Sequence, residues 1–257
     1  NLPDALGERI RQVSARVAEL AVELPSELTA SAGRVLATSG FVTDILMREP
    51  EELIARLLRP AAVSVDGIRG ALDPSLPEPR YKTELRRLRN IELAALAWRD
   101  IGGLATVDDT LANLSALADG LIASAVDAAA NLLEPRFGRP GPLLVLAMGK
   151  LGGGELNFSS DVDFVLVYPD PPDDEVDEHA EYFMRLSQRL IRLLERIRLG
   201  LDAQRYSGRY RQEFLDISRR DIGYAANLLF LPQMRFVANA QQCVLVALFF
   251  SNRVNHE

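Results

Sequence analysis

Cysteine is almost missing from this chain of 257 residues: Cys243 is the single one. It cannot form an intramolecular disulfide, which fits a reducing, cytoplasmic setting. Histidine is nearly as scarce, with His179 and His256 alone, so a structural zinc site of the Cys/His kind is not expected. Positive charge is also short. The 29 Lys and Arg against 36 Asp and Glu leave a formal net charge of −7, and a general nucleic-acid binder would usually be basic. No nucleic-acid partner is expected, and an acidic surface suits a protein substrate better than a polyanion. The arginine-rich stretch 86–89 is a local exception. The longest late apolar run, Cys243 to Phe250, falls far short of the ~20 residues of a membrane helix, so no membrane partner is expected. The chain opens at Asn1 without a signal-like segment and reads as an excised piece of a longer protein. What remains is ordinary for a globular protein: 48% hydrophobic and 25% charged residues, enough for one large or two small domains.

Residues 1 to about 135 read as helical. Leu6, Ile10, Val13, Val17 and Leu20 recur at helical spacing, and Pro25 ends that run. Val63 to Lys82, with several Gly and Pro, reads as a connection. Thr106 with Asp109 resembles a capping box ahead of an apolar stripe, Leu111, Leu114, Leu117 and Leu121. Pro135 to Gly141 marks a boundary before the first strand. Pro169 to Glu181 is rich in Asp and Glu and reads as a solvated loop. The amphipathic helix after it turns Phe183, Leu186, Leu190, Leu193, Leu194 and Ile197 inward and Arg185, Arg189, Arg192 and Arg196 outward. The segment 209–257 reads as mostly helical.

The chemistry is concentrated between two apolar runs, Leu143 to Met148 and Val162 to Tyr168. The turn between them holds Gly152, Gly153 and Gly154. Residues without Cβ permit positive φ and close approach of backbone N–H groups to a ligand, and such a turn can cradle phosphate oxygens. Lys150 can add charge there, and Ser160 a hydroxyl. Asp161 and Asp163 open the second run. On a strand they share one face, with Val162 and Phe164 on the other, and their Cα atoms stand roughly 6.5–7 Å apart. Carboxylates so placed can hold divalent metals about 3.5–4 Å apart, an arrangement used in phosphoryl and nucleotidyl transfer. The turn is neither a Walker loop, since Leu151 follows Gly149-Lys150, nor a Rossmann fingerprint.

The stretch Gly149 to Tyr168 resembles the nucleotidyltransferase motif of the bifunctional glutamine synthetase adenylyltransferase/adenylyl-removing family. The segment Glu155-Leu156-Asn157-Phe158-Ser159-Ser160-Asp161 is more similar to the N-terminal, adenylyl-removing half than to the C-terminal half. Ser39 to Leu46 with Arg48-Glu49-Pro50, Leu85 to Arg89, Ala97 to Ile101 and Thr110 to Asp119 resemble the same half, over roughly residues 30 to 195. The resemblance implies an α+β fold: a mostly helical chain with a small mixed-sheet nucleotidyltransferase domain of the polymerase-β type packed on helices. The expected parts are a helical region 1–135, a catalytic domain 136–208 and a helical C-terminal segment 209–257 of unassigned role.

The implied reaction is removal of AMP from an adenylylated tyrosine of glutamine synthetase by phosphorolysis, giving ADP. Asp161 and Asp163 would bind Mg²⁺ or Mn²⁺, and Gly152 to Gly154, Ser160 and Lys150 would meet phosphate or nucleotide. The family's third carboxylate lies in an Arg-x-Asp-x-Arg-Leu-Arg-Pro-like segment with no match here. Asp202 is the nearest candidate, with Asp216 and Asp221 behind it. The implied partners are glutamine synthetase, a PII-type signalling protein, phosphate and ADP or AMP. The alternatives are adenylyl transfer from ATP to the same tyrosine, or a non-catalytic scaffold binding the PII-type protein.

Overall fold

The computed structural model of the chain describes residues 24–59, 62–160, 162, 164–169, 176–194 and 243–246, with Ala15 and Ala18 besides. The expected helix over Leu6 to Leu20, the acidic residues 170–175 and the segment 195–242 lie outside the described residues. The helices are α1 (Ser26–Thr38), α2 (Gly40–Arg48), α3 (Pro50–Leu57), α4 (Val65–Gly70), α5 (Glu78–Gly102) and α6 (Val107–Phe137). Then come β1 (Leu144–Ala147), the single turn α7 (Gly149–Gly152), β2 (Phe164–Pro169), α8 (Val176–Leu194) and β3 (Cys243–Val246). This is an α+β chain, mostly helical, with a small sheet.

Two apolar cores share helix α5. The first joins α1, α2 and α3 to the second half of α5, where Ala94, Ala95 and Ala97 let neighbouring helices come close and Trp98 fills the centre. Its polar groups are tied across elements. Trp98 Nε1 donates to Ser31 Oγ at 3.0 Å, and Arg56 Nε meets both oxygens of the buried Glu92 carboxylate at 2.7 and 2.8 Å. The second core collects α4, the other side of α5, α6, the sheet and α8. Here Tyr168 stacks on Phe183 at 4.5 Å between ring centroids, and Tyr182 meets Phe183 edge-on at 4.9 Å.

Local signals explain the long elements. Thr106 and Asp109 form the expected capping box, with Asp109 N–H donating to Thr106 Oγ1 at 3.1 Å and Thr106 N–H to Asp109 Oδ2 at 3.2 Å. Helix α6 has the length and apolar composition of a membrane span, 31 residues, but it serves as the helix around which the second core closes, with Leu114, Leu117 and Leu121 buried. It runs through Pro135 to Phe137, past the expected boundary. A proline in the last turn removes one N–H donor there and leaves the preceding turns intact. In α8, Phe183, Leu186, Leu190 and Leu193 are buried as expected, while Arg189 reaches Glu78 on α5 at 3.5 Å.

Two expectations are corrected. The connection over Val63 to Lys82 contains α4, capped by Ser64 Oγ accepting from Gly67 N–H at 3.2 Å, and the first turn of α5. Pro79 stands in that first turn, where the missing N–H costs nothing. The acidic loop is shorter than expected, because α8 begins at Val176 and takes Glu178 into its first turn, where negative charge suits the helix dipole. Cys243–Val246, in a segment read as mostly helical, is a strand; its valines favour that state. The arginines of 86–89 have different surroundings. Arg87 pairs with Glu49 at 3.1 Å and with Glu52, whereas Arg89 lies within the protein, where burial, reinforced by Arg86, lowers its guanidinium to about 10.

The sheet order is β1-β2-β3, and both pairings are antiparallel. A parallel pairing, which the expected mixed sheet requires, is absent among the described residues. β1 faces β2 in the register Leu144↔Val167 to Ala147↔Phe164, so the glycine turn and the residues before Phe164 emerge together from one end of the pair.

Candidate active site

The glycine turn is more ordered than an open loop. Residues Gly149–Gly152 wind into the single turn α7, entered from an extended Met148. Gly152 N–H donates to Met148 O, Gly153 N–H to Gly149 O and Gly154 N–H to Leu151 O, each at 3.0 Å. The three amides expected to cradle phosphate therefore hold the turn together.

The glycines have separate reasons to be there. A Cβ on Gly152 would stand 2.6 Å from Ala147 O, so the turn could not fold back on β1 with any other residue. Gly154 has φ +70°, a left-handed conformation that side chains resist. Gly153 has φ −82°, and a Cβ there would meet nothing closer than 3.6 Å. All three are exposed, as is Lys150 beside them. The outer side of the turn is thus bare backbone flanked by the Lys150 ammonium group and by the exposed Glu155 carboxyl group, whose carbon would stand 3.9 Å from a Cβ on Gly153.

The turn is fastened to the second core at both ends. Leu151 and Leu156 are buried within it, and Leu156 N–H donates to the Oγ of buried Ser115 on α6 at 3.1 Å. Ser115 Oγ itself donates to Leu111 O at 2.9 Å. The chain then tightens again over Asn157 to Ser160. Asn157 Oδ1 accepts from Ser159 N–H at 3.0 Å, from Ser159 Oγ at 3.1 Å and from Ser160 Oγ at 2.8 Å. Ser160 is buried, and its hydroxyl closes this turn. Phe158, between these polar residues, packs against both cores.

Val162 and Phe164, expected opposite the two aspartates, both pack with the second core. Asp161, Asp163 and Asp202, with Asp216 and Asp221, lie outside the described residues. Among the described residues no group of three or more His, Cys, Asp or Glu side chains could hold a metal ion. The structure brings together Lys150, Gly152 to Gly154 and Ser160 around one end of the β1–β2 pair. The contribution of Ser115 escaped the sequence reading, because its role comes from a contact 41 residues along the chain.

Residues 29–199 match the family model described as glutamate-ammonia ligase adenylyltransferase. Three relatives share the name bifunctional glutamine synthetase adenylyltransferase/adenylyl-removing enzyme. The one from Stenotrophomonas maltophilia is 37% identical over 206 residues, covering 76% of this chain and 22% of the relative. That from Shewanella woodyi is 34% identical over 203 residues, covering 71% and 21%. That from Xanthomonas campestris pv. campestris is 41% identical over 172 residues, covering 63% and 18%. The matched part of the chain thus spans between 18% and 22% of the length of these curated relatives.

Proposed function

The chain belongs to the glutamate-ammonia ligase adenylyltransferase family, and from that premise we propose that it carries the adenylyl-removing activity toward glutamine synthetase. The observation that supports this reading best is the turn from Gly149 to Ser160, anchored in the core at Leu151 and Leu156, which leads in sequence through the two aspartates to β2. Its segment Glu155 to Asp161 is the part most similar to the adenylyl-removing half of the family.

In the proposed reaction an oxygen of inorganic phosphate attacks the phosphorus of the tyrosine-AMP linkage. A new phosphorus–oxygen bond forms and yields ADP. The bond from phosphorus to the tyrosine oxygen breaks, and that oxygen takes a proton from water. No general base is needed, because the attacking phosphate is already an anion. The exposed glycines leave room for phosphate against the backbone, and Lys150 supplies positive charge beside it. The Asn157–Ser160 turn closes on the Asn157 side chain one residue before Asp161 in sequence. Two carboxylates are hard oxygen donors of the kind that Mg²⁺ and Mn²⁺ take, so Asp161 and Asp163 would hold such an ion. When bound, it would neutralise charge on the phosphoryl oxygens and on the departing tyrosine oxygen.

The test pairs one sample of the protein with two substrates in the presence of Mg²⁺. With adenylylated glutamine synthetase and phosphate, ADP should appear. With unmodified glutamine synthetase and radiolabelled ATP, little AMP should reach the protein. Efficient labelling without phosphate-dependent removal would reverse the direction, and no reaction in either assay would favour a non-catalytic module.

A further inference from the structure

We infer that Ser115 is a positioning residue for the metal-binding aspartates, acting through the backbone of Leu156; this rests on the function proposed above. Ser115 sits on α6, the helix at the centre of the second core, and is 6% exposed. Its Oγ is the acceptor for Leu156 N–H at 3.1 Å, and Leu156 is 1% exposed. A buried backbone N–H has to be paired, and at Leu156 the partner is a side chain of a distant helix. The same hydroxyl spends its proton on Leu111 O, so its lone pair is turned toward the loop.

The anchor stands between the glycine turn and the aspartates. Four residues separate Leu156 from Asp161, and those residues are stiffened by the three bonds collected on Asn157 Oδ1. With Leu156 fixed, the Asn157–Ser160 turn has a defined origin, and so does Ser160, which closes it. Without the Ser115 hydroxyl, Leu156 N–H has to find water, and the loop has to lift from α6 to let water in. The side chain of Leu156 would still favour the core, so the loss should appear in local order and not in global unfolding.

The test compares Ser115→Ala and Ser115→Thr with the unchanged 257-residue chain. Amide exchange at Leu156, measured without metal, should accelerate by about tenfold or more in Ser115→Ala, since a buried donor loses its partner. Mn²⁺ binding, read by electron paramagnetic resonance, should weaken by about tenfold or more, as is usual when a group supporting metal ligands is removed. The rate of ADP release should fall with it, and Ser115→Thr, which keeps the hydroxyl, should restore all three. Wild-type exchange at Leu156 in Ser115→Ala would overturn the anchor. Faster exchange with unchanged Mn²⁺ affinity would overturn the positioning role while leaving the proposed function standing. An unchanged chain that binds no Mn²⁺ and releases no ADP would remove the proposed function, and the positioning role with it, although Leu156 exchange would still show whether the anchor exists.

Discussion

In the first core Arg56 and Glu92 close on each other through both carboxylate oxygens, with 10% and 9% of their side chains exposed. In the second core His179 and Ser187 are buried as deeply, yet His179 Nδ1 and Ser187 Oγ have no hydrogen-bond partner among the described residues. Arg99 Nε, at the edge of the first core, shares that state, but the Arg99 Nη2 group caps the end of α3 by donating to Leu57 O at 2.8 Å. The contrast separates two ways of specifying a core. Around α1 to α3, directional contacts between charged and polar groups fix which helix lies where. Around α6 and α8, ring stacking and aliphatic fit fill the interior, the charged ties Arg69 to Asp127, Arg136 to Glu181 and Arg189 to Glu78 lie nearer the surface, and the buried bonds Tyr81 to Ser124 and Ser115 to Leu156 join neutral groups. The first core thus places a charged pair in its interior, whereas the buried ties described in the part that carries the proposed site are single bonds between neutral groups.

The largest loss is expected in the first core. Glu92→Ala leaves the Arg56 guanidinium buried without its carboxylate and should cost about 3–5 kcal/mol of stability. Arg56→Met combined with Glu92→Leu should recover most of it. Urea unfolding of the single and double variants decides: a single variant within about 1 kcal/mol of the parent would mean that this pair does not lock the core.

Next comes the proposed site, where the expected loss is in rate. Asp161→Asn and Asp163→Asn should each lower turnover by about 10²-fold or more, as when a transition-state electrostatic element is removed, with the melting temperature unchanged. Near-normal ADP release by either purified variant would end the metal assignment.

The smallest effect sharpens the comparison within the glycine turn itself. Gly152→Ala pushes a methyl group to 2.6 Å from Ala147 O and should cost about 1–3 kcal/mol by overpacking. Gly153→Ala makes only ordinary contacts, none closer than 3.6 Å, at an ordinary φ and should stay within about 0.5 kcal/mol of the parent. Equal melting temperatures for the two would show that the turn does not press on β1.

Much of the frame was legible in the sequence because its signals are local. The Thr106–Asp109 cap, the leucine stripe of α6, the inward face of α8 and the two apolar runs that became β1 and β2 all speak through spacing over one or two turns. The glycine turn was legible as a turn but not in its parts. Gly152 and Gly153 are neighbours of one type, and only the carbonyl of Ala147, folded back from the preceding strand, tells them apart. Helix α4 hid among the Gly and Pro of Val63 to Lys82, because six residues are too few to show a period. Arg56 with Glu92, and Ser115 with Leu156, join positions 36 and 41 residues apart. No periodicity reaches that far, and a serine in a helix carries no mark of the amide that it will accept.

Helix α5 has one more consequence. It gives Ile91, Ala94 and Trp98 to one core and Tyr81, Leu85 and Leu93 to the other, so neither can come apart without exposing part of this 25-residue helix. Regions that open separately in native-state exchange are those whose contacts can be lost without disturbing their neighbours. Here the shared helix couples the losses: unravelling of the bundle around Trp98 removes support from the half that holds the glycine turn, so the two should melt as one cooperative unit.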